Sequence, residues 1–413
     1  MNPLDLSRRL RDARVARGLS QQAVAAIVGV PRTAITQIEA GNRSVSTLEF
    51  ARMASCFRRP VEFFLSSTSE DEDILVALHR VAPGLEADIE VRDQVDRCVA
   101  LCREGVTLES LLGWDRRSGP PARDLRAPRS TGEAIAQAER IADEERLRLN
   151  IGHAPLEDIS ELISSQGIWA SGVDLPDHMS GLFLRHPSIG MAILVNASHP
   201  HVRKRFSFAH EYAHALFDRD RTISISSTDN STDQVEKRAN AFAAAFLMPR
   251  NGVLEALQRL GRGIRERPVS LIYDAASDGS VEAEFRSSTK SQRITYKDVA
   301  IVAQRFGVSY QASAYRLRSL RHISQIECDE LLEREELGRD YVRVLGFQEQ
   351  HDEAMRATEQ QSRNRELRSE ITSLAMEAYR CEEISRGRLL ELSSLLGTDG
   401  RELLELGETL RLQ

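Results

Sequence analysis

Arg205-Phe206-Ser207-Phe208-Ala209-His210-Glu211-Tyr212-Ala213-His214-Ala215-Leu216-Phe217 is the stretch that decides the fold. Inside it stands the pattern His210-Glu211-x-x-His214. Phe206, Ala209, Ala213 and Phe217 recur at three- and four-residue spacing, which predicts a helix from Val202 to Phe217 with one apolar face. Residues four apart stack on one side of a helix, so His210 and His214 present two imidazoles to one point. A helix holds Zn²⁺ in this way, and the intervening glutamate lies where it can act as general base on water. Tyr212 points away from the histidine side.

The flanks give the motif a context. Before it, Gly167-Ile168-Trp169-Ala170, Ser180-Gly181-Leu182-Phe183-Leu184 and Met191-Ala192-Ile193-Leu194-Val195-Asn196 read as short strands of a small antiparallel sheet, bounded by turn residues. After it comes a polar loop rich in Ser, Thr and Asp, then a helix from Gln234 to Leu247 that Pro249 stops. Glu236 lies in the first turn of that helix, with Asn240 one turn on. Glu236 is the candidate third ligand of a site that keeps one position open, and Asn240 its support. By helix geometry alone Glu236 also fits a surface carboxylate facing the helix dipole. His199 and His201 precede the motif helix and fit either an oxyanion-stabilising role or a solvated loop.

Composition narrows the class. The chain has 413 residues, 41% hydrophobic and 28% charged, enough for several globular domains. No apolar run reaches the eighteen residues of a membrane span, and the start lacks the apolar core of a secretion signal. Five scattered cysteines form no C-x-x-C pair, so neither a disulfide framework nor a thiolate metal site is expected. A cytoplasmic setting and no membrane partner are the expectation. Charge is uneven: the first 66 residues hold ten arginines against five acids, whereas the whole chain carries −7. A basic module on an acidic body points to a polyanion partner for that module.

That module reads as a bundle of four or five helices. Gly18 ends the first helix. Ser20 caps a second, with Ala23, Val24 and Ile27 facing inward. Gly29 makes the turn, and Pro31 opens a third helix that runs to Glu39 with Ile35 and Ile38 facing in. Ser46-Thr47-Leu48-Glu49 is a capping box for a fourth. Two short helices around a Gly turn form a helix-turn-helix, whose second member enters the major groove. Arg32, Thr33, Thr36 and Gln37 then face outward with Arg43 nearby, suited to base edges and phosphates. Gln21 would offer its backbone N–H to a phosphate.

Two resemblances follow from these residues. Gly18-Leu19-Ser20-Gln21-Gln22-Ala23-Val24-Ala25, Gly29-Val30 and Ile35-Thr36-Gln37-Ile38-Glu39-Ala40-Gly41 resemble the Xre/Cro-type repressor helix-turn-helix over about residues 6–66. Pro31 stands where that family usually has Ser. Val195-Asn196, Arg205-Phe206-Ser207-Phe208-Ala209-His210-Glu211-x-x-His214 and Glu236-x-x-Ala239-Asn240-x-Phe242 resemble the ImmA/IrrE family of metallopeptidases over about residues 140–255. That resemblance implies His210, His214 and Glu236 as metal ligands and Glu211 as the catalytic residue, with Zn²⁺ bound and Mn²⁺ able to substitute. Tyr212-Ala213 replaces the usual Leu-Gly.

The fold expected is mainly α with a small antiparallel β-sheet. It divides into a helix-turn-helix domain (1–66), a helical connector (67–130), a zincin-like α+β peptidase domain (131–260), a helical subdomain resembling a second helix-turn-helix (261–325) and a charged helical tail (326–413). The second helix-turn-helix, with Arg316, Arg318 and Arg321, is expected to pack on the peptidase rather than read DNA. The resemblances imply a homodimeric regulator that binds operator DNA and whose zinc peptidase cleaves a repressor, itself or a partner. The alternative is an antitoxin that binds a cognate toxin and autoregulates its operon. A cut in the 66–73 or 118–128 segment would sever the DNA-binding module.

Overall fold

The structure, a computed structural model, describes residues 3–57, 61, 64, 89–114, 119–219, 223–227, 233–262, 269–274, 279–284, 292–345 and 364–411. The acidic 66–73 segment lies outside the described residues. Contacts divide the chain into Met1–Gly84 and Leu85–Gln413.

The first unit is built from α1 (Pro3–Ala16), α2 (Gln21–Val28), α3 (Arg32–Glu39) and α4 (Thr47–Cys56). Leu10, Val24, Val28, Ile35, Ile38, Met53 and Phe57 close its core. Ser20 caps α2 through the Ala23 N–H, and Gly29 ends it at φ +81°, a conformation that glycine adopts without strain. The Ser46–Glu49 capping box forms as read. Two details differ from expectation. Ile27 is 58% exposed, and Ala25 and Val28 take the inward positions with Val24. Pro31 stands at the N-cap of α3, so the helix starts at Arg32.

The second unit opens with α5 (Ile89–Leu111), α6 (Thr131–Arg148) and α7 (Ile159–Ser165). The sheet strands β1 (Ile168–Val173), β2 (Met179–His186) and β3 (Gly190–Asn196) follow, then α8 (His201–Phe217), β4 (Ile223–Ser227), α9 (Gln234–Leu247) and α10 (Arg250–Arg259). Strand order is β1-β3-β2-β4. β2 runs antiparallel to both β3 and β4, but β1 joins β3 in parallel, so the expected antiparallel sheet is mixed. The connection between β1 and β3 passes through β2, which returns the chain to the same end before β3 begins. Buried Asn196 fixes the opposite end of the sheet, where β1 and β3 finish: its amide donates to the carbonyls of Leu175, Pro176 and Met179.

Helix α8 packs between the sheet and α9. Ala209 and Ala213 are fully buried, and Phe217, Phe242 and Phe246 pack against one another below them. Tyr212 is buried too, its hydroxyl donating to the buried Glu145 of α6 at 2.6 Å. Glu145 in turn accepts from Arg148 at 2.6 Å. A hydroxyl on this buried face is thus paired, as burial requires. Residues 119–130 form a strap along the end of α8. Its Arg123 N–H donates to Leu216 O at 2.9 Å, and the Arg219 guanidinium donates to Pro120 O.

Beyond a hairpin of β5 (Val269–Asp274) and β6 (Gly279–Glu284) come α11 (Tyr296–Phe306), α12 (Tyr310–Ser319), α13 (Gln325–Leu332) and α14 (Glu335–Val344). A turn at Glu333 and Arg334 separates α13 from α14. Helices α11 and α12 share the core of α8 and α9. Two buried arginines fasten them: Arg205 of α8 donates to Leu156 O (2.6 Å), Glu157 O (2.6 Å) and Gly307 O (3.1 Å), and Arg316 of α12 donates to Met248 O and to Glu139. Arg316 therefore faces the protein interior rather than a nucleic acid.

The chain closes with α15 (Arg365–Arg380), α16 (Arg386–Leu396) and α17 (Gly400–Arg411). Helix α15 packs on α5 and on β1. Asn364 N–H donates to Gly172 O (3.1 Å), and the Glu366 carboxylate accepts the Gly172 N–H (3.3 Å), so the outer edge of β1 is occupied at that residue. Gly105 of α5 lies directly against Trp169 and Ile371, where a side chain would not fit. Among the described residues no helix is long and apolar enough to cross a membrane.

Candidate metal centre and nucleic-acid interface

Three ligand atoms, one each from His210, His214 and Glu236, lie within 4.8 Å of one another, and all three residues are buried. The two histidines come from one face of α8, and Glu236 comes from the first turn of α9. His210 Nε2 lies 3.2 Å from His214 Nε2 and 3.1 Å from a Glu236 oxygen, and His214 Nε2 lies 3.6 Å from the other oxygen. Each imidazole has its far nitrogen engaged. His210 Nδ1 meets Asn240 Oδ1 at 3.0 Å, and His214 Nδ1 meets Asp218 Oδ2 at 2.9 Å. An amide oxygen and a carboxylate oxygen only accept, so both Nδ1 atoms donate. Both Nε2 lone pairs are thereby aimed at one point beside a carboxylate, a donor set that fits a divalent metal ion.

Charge is tuned by the same contacts. Burial opposes a charge on Glu236, yet the two imidazoles outweigh it and hold its pKa down at about 2. Burial likewise opposes a charge on His214, but Asp218 and Glu236 raise its pKa when no cation competes with the proton for Nε2. Glu211 differs. It is fully buried, and burial raises its pKa although the histidines pull the other way. Among the described residues neither of its oxygens meets a donor in hydrogen-bonding geometry, and Ser226 Oγ is the hydroxyl that stands beside it. A carboxylate so placed is ready to accept a proton.

On the first unit, Arg32, Thr33 and Gln37 of α3 are exposed. Gln21 and Thr36 are tied together instead: the Thr36 hydroxyl donates to Gln21 Oε1 (3.0 Å), and Gln21 Nε2 donates to Glu39 (2.9 Å), which also accepts from Arg14 at 2.6 Å. This network locks α2 to α3. Arg43 pairs with Glu49 at 2.7 Å.

Residues 10–64 match the family model described as helix-turn-helix, and residues 164–318 match the one described as IrrE N-terminal-like domain, of the M78 peptidases. The chain joins an Xre-type helix-turn-helix to an IrrE-like peptidase domain. No curated protein matches it. The IrrE-like match extends through α11 and almost all of α12, the two helices that Arg205 and Arg316 fasten to the core.

Within the IrrE-like domain the structure brings His210, Glu211, His214, Glu236 and Asn240 together. His199 and His201 are excluded from the centre. Nine residues separate His201 from His210, about 13 Å at ~1.5 Å per residue. His199 is buried, and burial lowers its pKa, with Arg203 adding to the effect and the Asp177 backbone opposing it. Asp218 and Gly181 were not singled out from the sequence. Asp218 is the C-cap of α8 and falls four residues after His214, a spacing that could have flagged it. Gly181 carried no such signal. A Cβ there would lie 2.9 Å from Glu211 Oε1 and 3.0 Å from Leu194 O, so the glycine makes room for the Glu211 carboxylate. Replacing Gly181 with valine is expected to displace Glu211 by roughly 1 Å and slow any hydrolysis by about 100-fold. Metal content should stay at the wild-type level, because no ligand moves. Loss of metal in that variant would show that Gly181 supports the ligands instead.

Proposed function

We propose that this chain is a transcriptional regulator whose IrrE-like domain is a zinc endopeptidase, acting on a repressor: its own chain or a partner. The observation that carries the reading is the convergence of His210 Nε2, His214 Nε2 and Glu236 beside the fully buried Glu211 carboxylate. A zinc ion held by these three residues would supply Lewis acidity, which polarises a carbonyl and acidifies water. Mn²⁺ would also suit the N/O donor set. Glu211 takes the proton from the attacking water and passes it to the leaving amine. Its burial favours the protonated form, which makes the first of these transfers, from water to Glu211, easier. An extended substrate adds to β4, the sheet edge that α15 does not occupy.

The helix-turn-helix presents Arg32, Thr33 and Gln37 to an operator. Gln21 and Thr36 contribute through the geometry of the α2–α3 pair, and the Gln21 backbone N–H faces a phosphate. A dimer would place two such helices about one turn of DNA apart, ~34 Å.

Scission at 66–73 fits this reading better than scission at 118–128. Pro120 O and Arg123 N–H are already bonded to α8 and Arg219, so the strap would have to peel away before its backbone could enter a catalytic site. The test is incubation of the full chain with Zn²⁺ or with a chelator, with and without operator DNA, followed by mass measurement. A body fragment starting near residue 70 and formed only with metal is expected. An intact chain in every condition, together with no metal-dependent cutting of a co-expressed homologous repressor, would refute the peptidase reading.

A further inference from the structure

Asp218 is placed to do more than end a helix. It is the C-cap of α8, and its carboxylate folds back over the last turn to His214 Nδ1 at 2.9 Å. Its second oxygen accepts from the Arg238 guanidinium at 2.8 Å. Arg238 is 1% exposed, stands on α9 two residues after Glu236, packs over the Phe217 ring at 4.7 Å and also reaches Gln137 of α6. The helix that supplies Glu236 therefore also anchors the carboxylate that orients His214.

Resting on the zinc-site reading above, we infer that Asp218 is a positioning residue for the metal ligand His214, and that Arg238 sets which way Asp218 can act. The argument is one of hydrogen-bond polarity. A guanidinium only donates. While residue 218 is a carboxylate, both oxygens accept, so Arg238 and the His214 Nδ1–H are satisfied together. His214 is then held in the tautomer whose Nε2 lone pair is free for metal. An asparagine at 218 has one oxygen and one NH₂. Arg238 claims the oxygen, and the NH₂ turns to His214 Nδ1, which must then accept. The proton moves to Nε2 and blocks the ligand atom.

This makes an unusual prediction for a nearly isosteric change. Asp218→Asn should weaken Zn²⁺ binding by about 10- to 100-fold, the range for losing an outer partner of a metal-bound histidine. Adding Arg238→Met should recover much of the loss, because the amide is then free to turn its oxygen towards Nδ1–H. A purely structural role for the Asp218–Arg238 pair predicts the reverse: the double variant would bind no better than the single one. The experiment is chelator competition for Zn²⁺, with visible spectra of the Co²⁺-loaded full-length proteins to report ligand geometry and thermal unfolding to confirm folding. The double variant removes both buried charges, so it stays informative if Asp218→Asn unfolds. Glu236→Ala serves as the reference for a lost ligand. If Glu236→Ala loses metal while Asp218→Asn binds within threefold of wild type, the inference is overturned and the zinc site stands. If wild type takes up neither Zn²⁺ nor Co²⁺, both are overturned.

Discussion

A Glu211→Gln protein is expected to keep its metal and lose its cutting. Glutamine has the shape of glutamate, but its amide cannot accept the proton of an attacking water. General-base catalysis of this kind contributes about 10²- to 10⁴-fold, and a fall of that size is the expected result. The ligand set is untouched, so metal measured by atomic absorption should stay at one equivalent. Burial of an uncharged amide is also less costly than burial of a carboxylate, so the variant should unfold at or above the wild-type temperature. Glu236→Ala is the complementary case. It removes one of three converging donors and should weaken metal binding by more than the ~100-fold that an outer partner can account for. Cutting by Glu211→Gln at the wild-type rate would remove Glu211 from the chemistry. Full metal retention by Glu236→Ala would remove Glu236 from the ligand set.

The second large effect is on stability. Arg205→Met keeps the aliphatic stem but abandons three carbonyls, those of Leu156, Glu157 and Gly307. Leaving a buried acceptor unpaired costs about 1–3 kcal/mol, and bonds to a charged donor lie at the stronger end. Some carbonyls will find water, so a net loss of about 4 kcal/mol is expected. In a unit as long as Leu85–Gln413, 1 kcal/mol shifts Tm by about 1.5 °C, giving a fall of about 6 °C. Arg203→Met on the exposed side of the same helix should change Tm by no more than about 2 °C. Equal shifts in the two variants would mean that the Arg205 bonds add nothing to holding α11 and α12 against α8.

The sequence shows some of these features plainly and conceals others, for physical reasons. The motif helix and α9 were legible because their chemistry is local: four-residue spacing, a first-turn glutamate and a terminating proline all act within one element. β4 was read as loop, since Ser and Thr swamp the alternation of Ile223 and Ile225. The parallel placement of β1 is a matter of tertiary register, which no local pattern encodes. The second helix-turn-helix was expected to pack on the peptidase, but only the neighbouring carbonyl of Met248 and the Glu139 carboxylate reveal that Arg316 is an arginine that fastens it. The break between α13 and α14 falls at Glu333 and Arg334, with neither Gly nor Pro to announce it. Ile27 and Val28 are equally apolar, and the packing of α2 chose between them. At the centre, the motif names the ligands but not the atoms that orient and accommodate them. Asp218, Arg238 and Gly181 are ordinary residues until the fold sets them beside His214 and Glu211.

The docking of α15 on β1 has a consequence for the integrity of the chain. An uncovered strand edge is a template for other strands, and long, flat, apolar edges drive aggregation. All six residues of β1 are buried and none is charged, so the strand carries none of the lysines or prolines with which natural edges protect themselves. Its protection comes from about 200 residues further along the chain, through Asn364 and Glu366. During synthesis β1 therefore emerges long before its cover does. The interval between the two is when this protein is most exposed to sticking to its own copies, and the stage at which a chaperone would matter most.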